Sequence, residues 1–143
     1  MIAIINIAIN DLAEKPKKLF LIDGLGALFT TFFLCEVLRN FYEYVGMPIS
    51  ALTYLSVISA CLCVYSMSCF SFVKGNLIPF IRRISIGNLL YCILTMVLIL
   101  IYYSQLKTIG MIYFVIEVII IIGLVYIELN VATAILKERI DND

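Results

Sequence analysis

The residues in this sequence that could do chemistry are acidic side chains inside long apolar runs. Asp23, Glu36, Glu117 and Glu128 each lie within a stretch that is otherwise mostly hydrophobic. Ionisable groups in membrane-spanning segments are rare, usually face the interior of a bundle, and often mark proton or ion pathways. Glu117 is the sharpest case because it lies near the middle of its run, where a charged carboxylate costs roughly 2.5–3.5 kcal/mol to insert.

Helical spacing groups polar residues into stripes that can meet between helices. If the last apolar run is a helix, Tyr113, Glu117 and Glu128 lie on one face of it. Counting 1.5 Å per residue along each run places Asp23 and Asn88 in one layer and Glu117 in another. The sequence therefore predicts a candidate polar cavity, with these members: Asp23, Asn88, Thr95, Tyr113 and Glu117.

Two interpretations of this cavity remain open. In the first, Glu117 and Asp23 bind protons or small cations inside the bundle. In the second, the polar groups only hydrogen-bond to neighbouring helices and make the fold specific, with an average gain of about 0.6 kcal/mol per bond.

The other two carboxylates are assigned to the interface. Glu36 precedes Arg39 by three residues near the end of the first run, a spacing that predicts an ion pair on a helix surface. Glu128 lies at the edge of its run, level with Arg82 and Arg83, and is expected to extend to the interface. The topology and interface residues are thus Lys17, Lys18, Arg82, Arg83, Glu36, Arg39 and Glu128.

The composition requires a membrane to position these groups. Of 143 residues, 64% are hydrophobic and 14% are charged, with a mean hydropathy of +1.10. Soluble domains have about 45–50% apolar and about 25% charged residues, so an ordinary soluble domain, a disordered chain and a nucleic-acid binder are excluded. There is no histidine, and all five cysteines fall within apolar runs. We therefore expect no metal, no cofactor and no enzymatic activity.

Four apolar runs are long enough to cross a bilayer. A span needs about 20 residues, and the runs cover about residues 19–38, 49–73, 84–103 and 109–129. Lys74, Gly75, Asn76 and Pro79 separate the second run from the third. The expected fold is an all-α integral membrane four-helix bundle, a single domain over residues 1–143. The fourth span is expected to continue as a helix toward Arg139, into a tail at 130–143.

The basic residues orient the bundle. With four spans, eight of the ten basic residues lie on the side of the termini and two, Arg39 and Lys107, lie on the other. Because basic residues are enriched on the cytoplasmic side, we expect both termini in the cytoplasm and the chain in the cell membrane.

Residues 1–14 are too short to span a bilayer and are expected to lie on it. On a helix, one face carries Ile2, Ile5, Ile9 and Leu12, whereas another carries Asn6, Asn10 and Glu14. This pattern predicts a short amphipathic helix on the inner leaflet. The alternation of Ile5, Ile7 and Ile9 is also compatible with a strand.

Several segments carry a family resemblance, namely residues 19–27 (LFLIDGLGA), 46–48 (GMP), 65–66 (YS), 88–92 (NLLYC) and 113–117 (YFVIE). With them, the chain resembles a group of uncharacterised small bacterial four-span inner-membrane proteins over about residues 17–130. The resemblance implies a four-span topology and a bacterial origin, and it implies no activity. In size and span number the chain is also similar to the small multidrug resistance transporters. It departs from them in placing the central acidic residue in the fourth span and in having no tryptophan.

Two classes of function fit these features. One is a helix-packing, accessory or binding module that associates with itself or with a larger membrane complex. Its basis is the small residues of the second run, which let helices approach closely. The alternative is a small proton- or cation-linked transporter or channel that uses the intramembrane carboxylates Glu117 and Asp23.

Overall fold

The computed structural model describes residues 1–143 and contains helices but no strands. The helices are α1 (Ile2–Glu14), α2 (Lys17–Phe32), α3 (Tyr42–Val45), α4 (Ile49–Phe72), α5 (Ile78–Ile101) and α6 (Thr108–Asp141), and a π-helical segment, Phe33–Leu38, continues α2. Four helical stretches are long and apolar enough to cross a membrane: Lys17–Leu38, Ile49–Phe72, Ile78–Ile101 and Thr108–Asp141. The expected all-α fold with four candidate spans is therefore confirmed.

The start of the third span differs from that expected, whereas the extension of the fourth span does not. Helix α5 begins at Ile78 because Pro79 lies in its first turn, where a helix does not use the missing N–H group. Arg82 and Arg83 consequently lie within α5 instead of preceding it. Helix α6 runs without a break for 34 residues to Asp141, in agreement with the expected continuation of the fourth span as a helix toward Arg139.

The long helices pack in the order α2, α4, α5 and α6, each against the next. Small residues bring α2 close to α4: Ser59 Oγ donates to the carbonyl of Ala27 at 2.9 Å, and Cys63 Sγ lies 3.2 Å from the carbonyl oxygen of Gly24. Helices α2 and α6, at the two ends of this series, are not closely packed. The bundle is therefore open on one side.

Apolar side chains form one core at each end of the bundle. The core at the end with both termini contains Phe20, Ile81 and Val131, and α1 packs onto it through Ile9 and Leu12. The core at the opposite end consists of buried residues that include Leu34, Leu52, Leu55, Ile99 and Phe114. The polar residues of the spans lie between these two apolar ends.

Residues 1–14 form a helix rather than the alternative strand. Ile9 and Leu12 are buried against the bundle, whereas Ile4 and Ile7, on the other side of α1, are 71% and 69% exposed. Helix α1 therefore presents apolar side chains both to the bundle and to its surroundings.

The π-helical segment explains why one expected ion pair is absent. The sole salt bridge in the chain joins Lys18 to Asp11, and none joins Glu36 to Arg39. The backbone N–H of Arg39 bonds to the carbonyl of Leu34, five residues back, as in a π-turn. This wider turn changes the angular spacing, so that residues three apart no longer share a face.

Candidate functional site

Each of the four long helices contributes one side chain to a buried group of polar residues, here called the carboxylate cluster: Asp23, Ser66, Asn88 and Glu128. Ser66 Oγ donates to Oδ2 of Asp23. Asn88 Nδ2 is 2.6 Å from Oδ1 of Asp23 and 3.3 Å from Oε1 of Glu128. The second oxygen of Glu128, Oε2, is buried and has no hydrogen-bond partner.

The position of Glu128 corrects the expectation that it reaches the interface. Its side chain is 0% exposed and faces Asn88 and Asp23 on the inside of the bundle. The helical spacing that places Glu128 on the same face as Glu117 indicates this inward position. Arg82 and Arg83 are exposed and form no ion pair with it.

No basic side chain neutralises the carboxylate cluster. The one salt bridge of the chain, Lys18–Asp11, lies at the surface. The side-chain amide of Asn88 has two N–H donors, and each is directed to one carboxyl group. Two carboxylates held this close away from water repel each other strongly if both are charged. The arrangement therefore favours uptake of a positive charge, either a proton or a cation.

Glu117 and Tyr91 form a second buried polar pair on α6 and α5. Tyr91 Oη donates to Oε1 of Glu117 at 3.0 Å, and both side chains are buried. Oε2 of Glu117 is buried without a hydrogen-bond partner. Thr95, one turn from Tyr91, donates to its backbone carbonyl at 2.9 Å.

A single cavity of about 240 Å³ connects the pair with the cluster. Asp23 and Asn88 line it, as do Tyr91, Tyr113 and Glu117. The volume is sufficient for several water molecules. Four of the five residues of the candidate polar cavity thus line one space. The fifth, Thr95, is fully buried and does not line it.

The cavity reaches the surface on the open side of the bundle. Phe29 of α2 and Ile116 and Ile120 of α6 also line it, and their side chains are 63%, 52% and 65% exposed. All three are apolar, so the opening between α2 and α6 is directed sideways into apolar surroundings.

Three residues of this site, Ser66, Tyr91 and Glu128, are not among the cavity residues that the sequence predicts. Ser66 was one of the small residues of the second run, and its contact with Asp23 depends on how α4 packs against α2. Tyr91 lies on the same helical stripe as Asn88 and Thr95, and this spacing indicates that its side chain faces the inside of the bundle. Glu128 was assigned to the interface because of its place near the end of its run.

The other residues assigned to the interface are at least partly exposed. Lys18, Glu36 and Arg39 are exposed, as are Arg82 and Arg83, and Lys17 is half-buried.

Four apolar helices around buried carboxyl groups define a multi-pass membrane protein. Comparison with protein-family models, curated proteins and solved structures finds no match to this chain. Its function has to be inferred from the site itself.

Proposed function

We propose that the protein is a small proton- or cation-linked transporter or channel of the bacterial inner membrane. The observation that carries the proposal is the convergence of Asp23 and Glu117 on one cavity, with Glu128 beside Asp23. Three carboxyl groups without a basic partner form a site for positive charge. Burying them would otherwise oppose folding, because a buried charge needs a partner.

A proton or a monovalent cation suits these groups better than a multivalent metal ion. Nowhere do three or more histidine, cysteine, aspartate or glutamate side chains group as metal ligands. Multivalent metal ions such as Ca²⁺ take six to eight oxygen ligands, several of them carboxylates. Asn88 also directs its N–H donors, not its carbonyl oxygen, at both carboxyl groups of the cluster. A proton on either carboxyl group is compatible with both hydrogen bonds.

The two carboxyl sites lie at different depths. Glu117 and Glu128 are eleven residues apart on α6, which is about 16 Å along the helix axis. This separation covers about half of a hydrocarbon core of about 30 Å. Beyond Glu117, the buried side chains of Phe114, Leu34 and Ile99 belong to the apolar core at the far end of the bundle. A separate cavity of about 480 Å³ without charged lining residues also lies there, and Tyr113 lines both cavities.

The proposed orientation has both termini in the cytoplasm. Its support is the distribution of basic residues, eight on the side of the termini and two on the other. Helix α1 would then lie at the inner leaflet, with exposed Ile4 and Ile7 in contact with lipid.

Flux through liposomes tests the proposed transport. The purified protein is reconstituted with a pH-sensitive dye inside the vesicles, and a proton gradient is imposed. We expect wild-type protein to dissipate the gradient and Glu117→Gln to lose most of this activity. Glu36→Gln is the matched control, because Glu36 is an exposed carboxylate outside the cavity. Equal flux in wild type and Glu117→Gln would remove Glu117 from the mechanism.

A second candidate function is an accessory or binding module that associates with itself or with a larger membrane complex. The observation in its favour is the open side between α2 and α6, where Phe29 and Ile120 are exposed. A helix of a partner would cover this opening, and the carboxyl groups would then serve helix packing. Mass measurement in mild detergent tests this function. A strictly monomeric species with no co-purifying partner would count against it.

A further inference from the structure

A second groove, here called the Arg83 groove, lies between α4 and α5 at the end of the bundle that carries the termini. Its volume is about 300 Å³, and its lining residues are Ile58, Cys61, Leu62, Tyr65, Arg83 and Ile84. Leu62 also lines the carboxylate cavity, so this one side chain contributes to both walls. No other lining residue is shared, and the proposed transport does not use the groove.

The polar end of the groove carries a guanidinium without an acidic partner. Arg83 is exposed and makes no salt bridge, and its guanidinium carbon lies 5.7 Å from the centre of the Phe80 ring. The hydroxyl of Tyr65 is buried at the same end without a hydrogen-bond partner. The exposed guanidinium matches an anionic oxygen ligand such as a phosphate group.

The remainder of the groove is apolar and follows one face of α4. Ile58, Cys61 and Tyr65 are spaced by three and four residues, and they extend about 10 Å along the helix from the Arg83 end. Arg83 itself is five residues, or about 7.5 Å, from the start of α5. An anionic group at the end of the span, followed by an apolar chain, therefore fits the groove.

We propose that the Arg83 groove binds one anionic phospholipid, with its phosphate at Arg83 and an acyl chain along Ile58, Cys61 and Leu62. A phospholipid carries its negative charge at the edge of the hydrocarbon core, where Arg83 lies.

Native mass spectrometry of delipidated protein in mild detergent tests this binding. The protein is titrated with phosphatidylglycerol or with zwitterionic phosphatidylcholine of the same chain length. We expect one phosphatidylglycerol per chain, held about fivefold more tightly than phosphatidylcholine, as expected for one arginine at a membrane surface. Arg83→Gln should abolish the preference, whereas Tyr65→Phe should keep it, because the Tyr65 hydroxyl is buried.

Arg82→Gln is the matched control, because Arg82 is the exposed neighbour that does not line the groove. It should keep the preference for phosphatidylglycerol. Equal losses in the two arginine variants would mean general charge attraction and would overturn the proposal. Equal binding of both lipids by wild type, or a dimer mass in place of the lipid adduct, would also overturn it.

The exposed thiol of Cys61 reports the position of the bound lipid. In a variant that keeps Cys61 and replaces the other four cysteines by alanine, phosphatidylglycerol should slow maleimide labelling of Cys61. Phosphatidylcholine at the same concentration should slow it less. Equal labelling rates with and without phosphatidylglycerol would place the lipid elsewhere and contradict the proposed groove.

Discussion

Asp23 and Glu128 lie on helices that are not closely packed, yet one amide group joins them. Asn88 Nδ2 is 2.6 Å from Oδ1 of Asp23 and 3.3 Å from Oε1 of Glu128. Helix α5, which carries Asn88, thus links the first and last spans through a polar contact at the edge of the cavity. The same amide keeps two carboxyl groups close together in a region without basic side chains.

Replacing Asn88 by alanine should destabilise the bundle by about 1–3 kcal/mol, because two buried carboxyl groups lose a donor. The measurement is reversible unfolding in mixed micelles followed by circular dichroism. Asn130→Ala is the matched control on α6, where the Asn130 amide bonds only to the Tyr126 carbonyl. Its effect should stay within about 0.5 kcal/mol. If both variants lost the same stability, the bridging role of Asn88 would be wrong.

Removing the hydroxyl of Tyr91 should cost more than removing that of Tyr113. Tyr91→Phe leaves Glu117 buried with no hydrogen-bond donor, a loss of about 1–3 kcal/mol. Tyr113 lines the same cavity and donates no hydrogen bond to Glu117, so Tyr113→Phe should be nearly neutral. Adding Glu117→Met to Tyr91→Phe should restore stability, since both polar partners are then gone. The same unfolding assay measures all three variants, and a double variant no more stable than Tyr91→Phe would contradict the pairing.

Filling the cavity should stop transport without unfolding the protein. Gly26 lines the cavity, and a Cβ atom there meets nothing within 4 Å, so Gly26→Leu can extend into the cavity. Gly123→Leu is the matched control, because its position is equally open and does not line the cavity. Both changes raise helix propensity, by up to about 1 kcal/mol. In the liposome assay, Gly26→Leu should abolish flux and Gly123→Leu should keep it; equal activities would exclude the cavity as the route.

The turn at Gly46 should tolerate substitution far less than the turn at Gly75. Both glycines have positive φ, +82° and +94°, so alanine costs about 1–2 kcal/mol of backbone strain at either site. A Cβ on Gly46 would also lie 2.1 Å from the carbonyl oxygen of Gln105, whereas one on Gly75 meets nothing within 4 Å. This clash should add about 1–3 kcal/mol. Thermal unfolding of the two alanine variants measures the difference, and equal melting temperatures would contradict it.

The spans and part of the site were predictable because they depend on local properties of the chain. Runs of about 20 apolar residues identify spans, and counting along them placed Asp23 and Asn88 at the same depth. Their hydrogen bond agrees with that count. Helical spacing likewise indicated that Glu117 faces inward, where its side chain is 7% exposed.

The other features of the site depend on how the helices pack against one another. Contact between Ser66 and Asp23 requires α4 to lie closely on α2, and nothing local specifies this neighbour. The π-helical segment that separates Glu36 from Arg39 has no clear sequence signal. For Glu128 two sequence signals disagree: its place near the end of the run is typical of an interfacial glutamate, whereas the helical stripe it shares with Glu117 indicates an inward position. Its burial depends on α5 packing Asn88 against it.

The central claim is that buried carboxyl groups exchange a proton or a cation, and infrared difference spectroscopy of reconstituted protein tests it most directly. Spectra are recorded for a pH step and for a step in Na⁺ concentration, in wild type, Glu117→Gln, Glu128→Gln and Glu36→Gln. We predict carboxyl bands that disappear separately in Glu117→Gln and in Glu128→Gln and that remain in Glu36→Gln. If every such band of the wild type persisted in Glu117→Gln and Glu128→Gln, the proposed site would be contradicted.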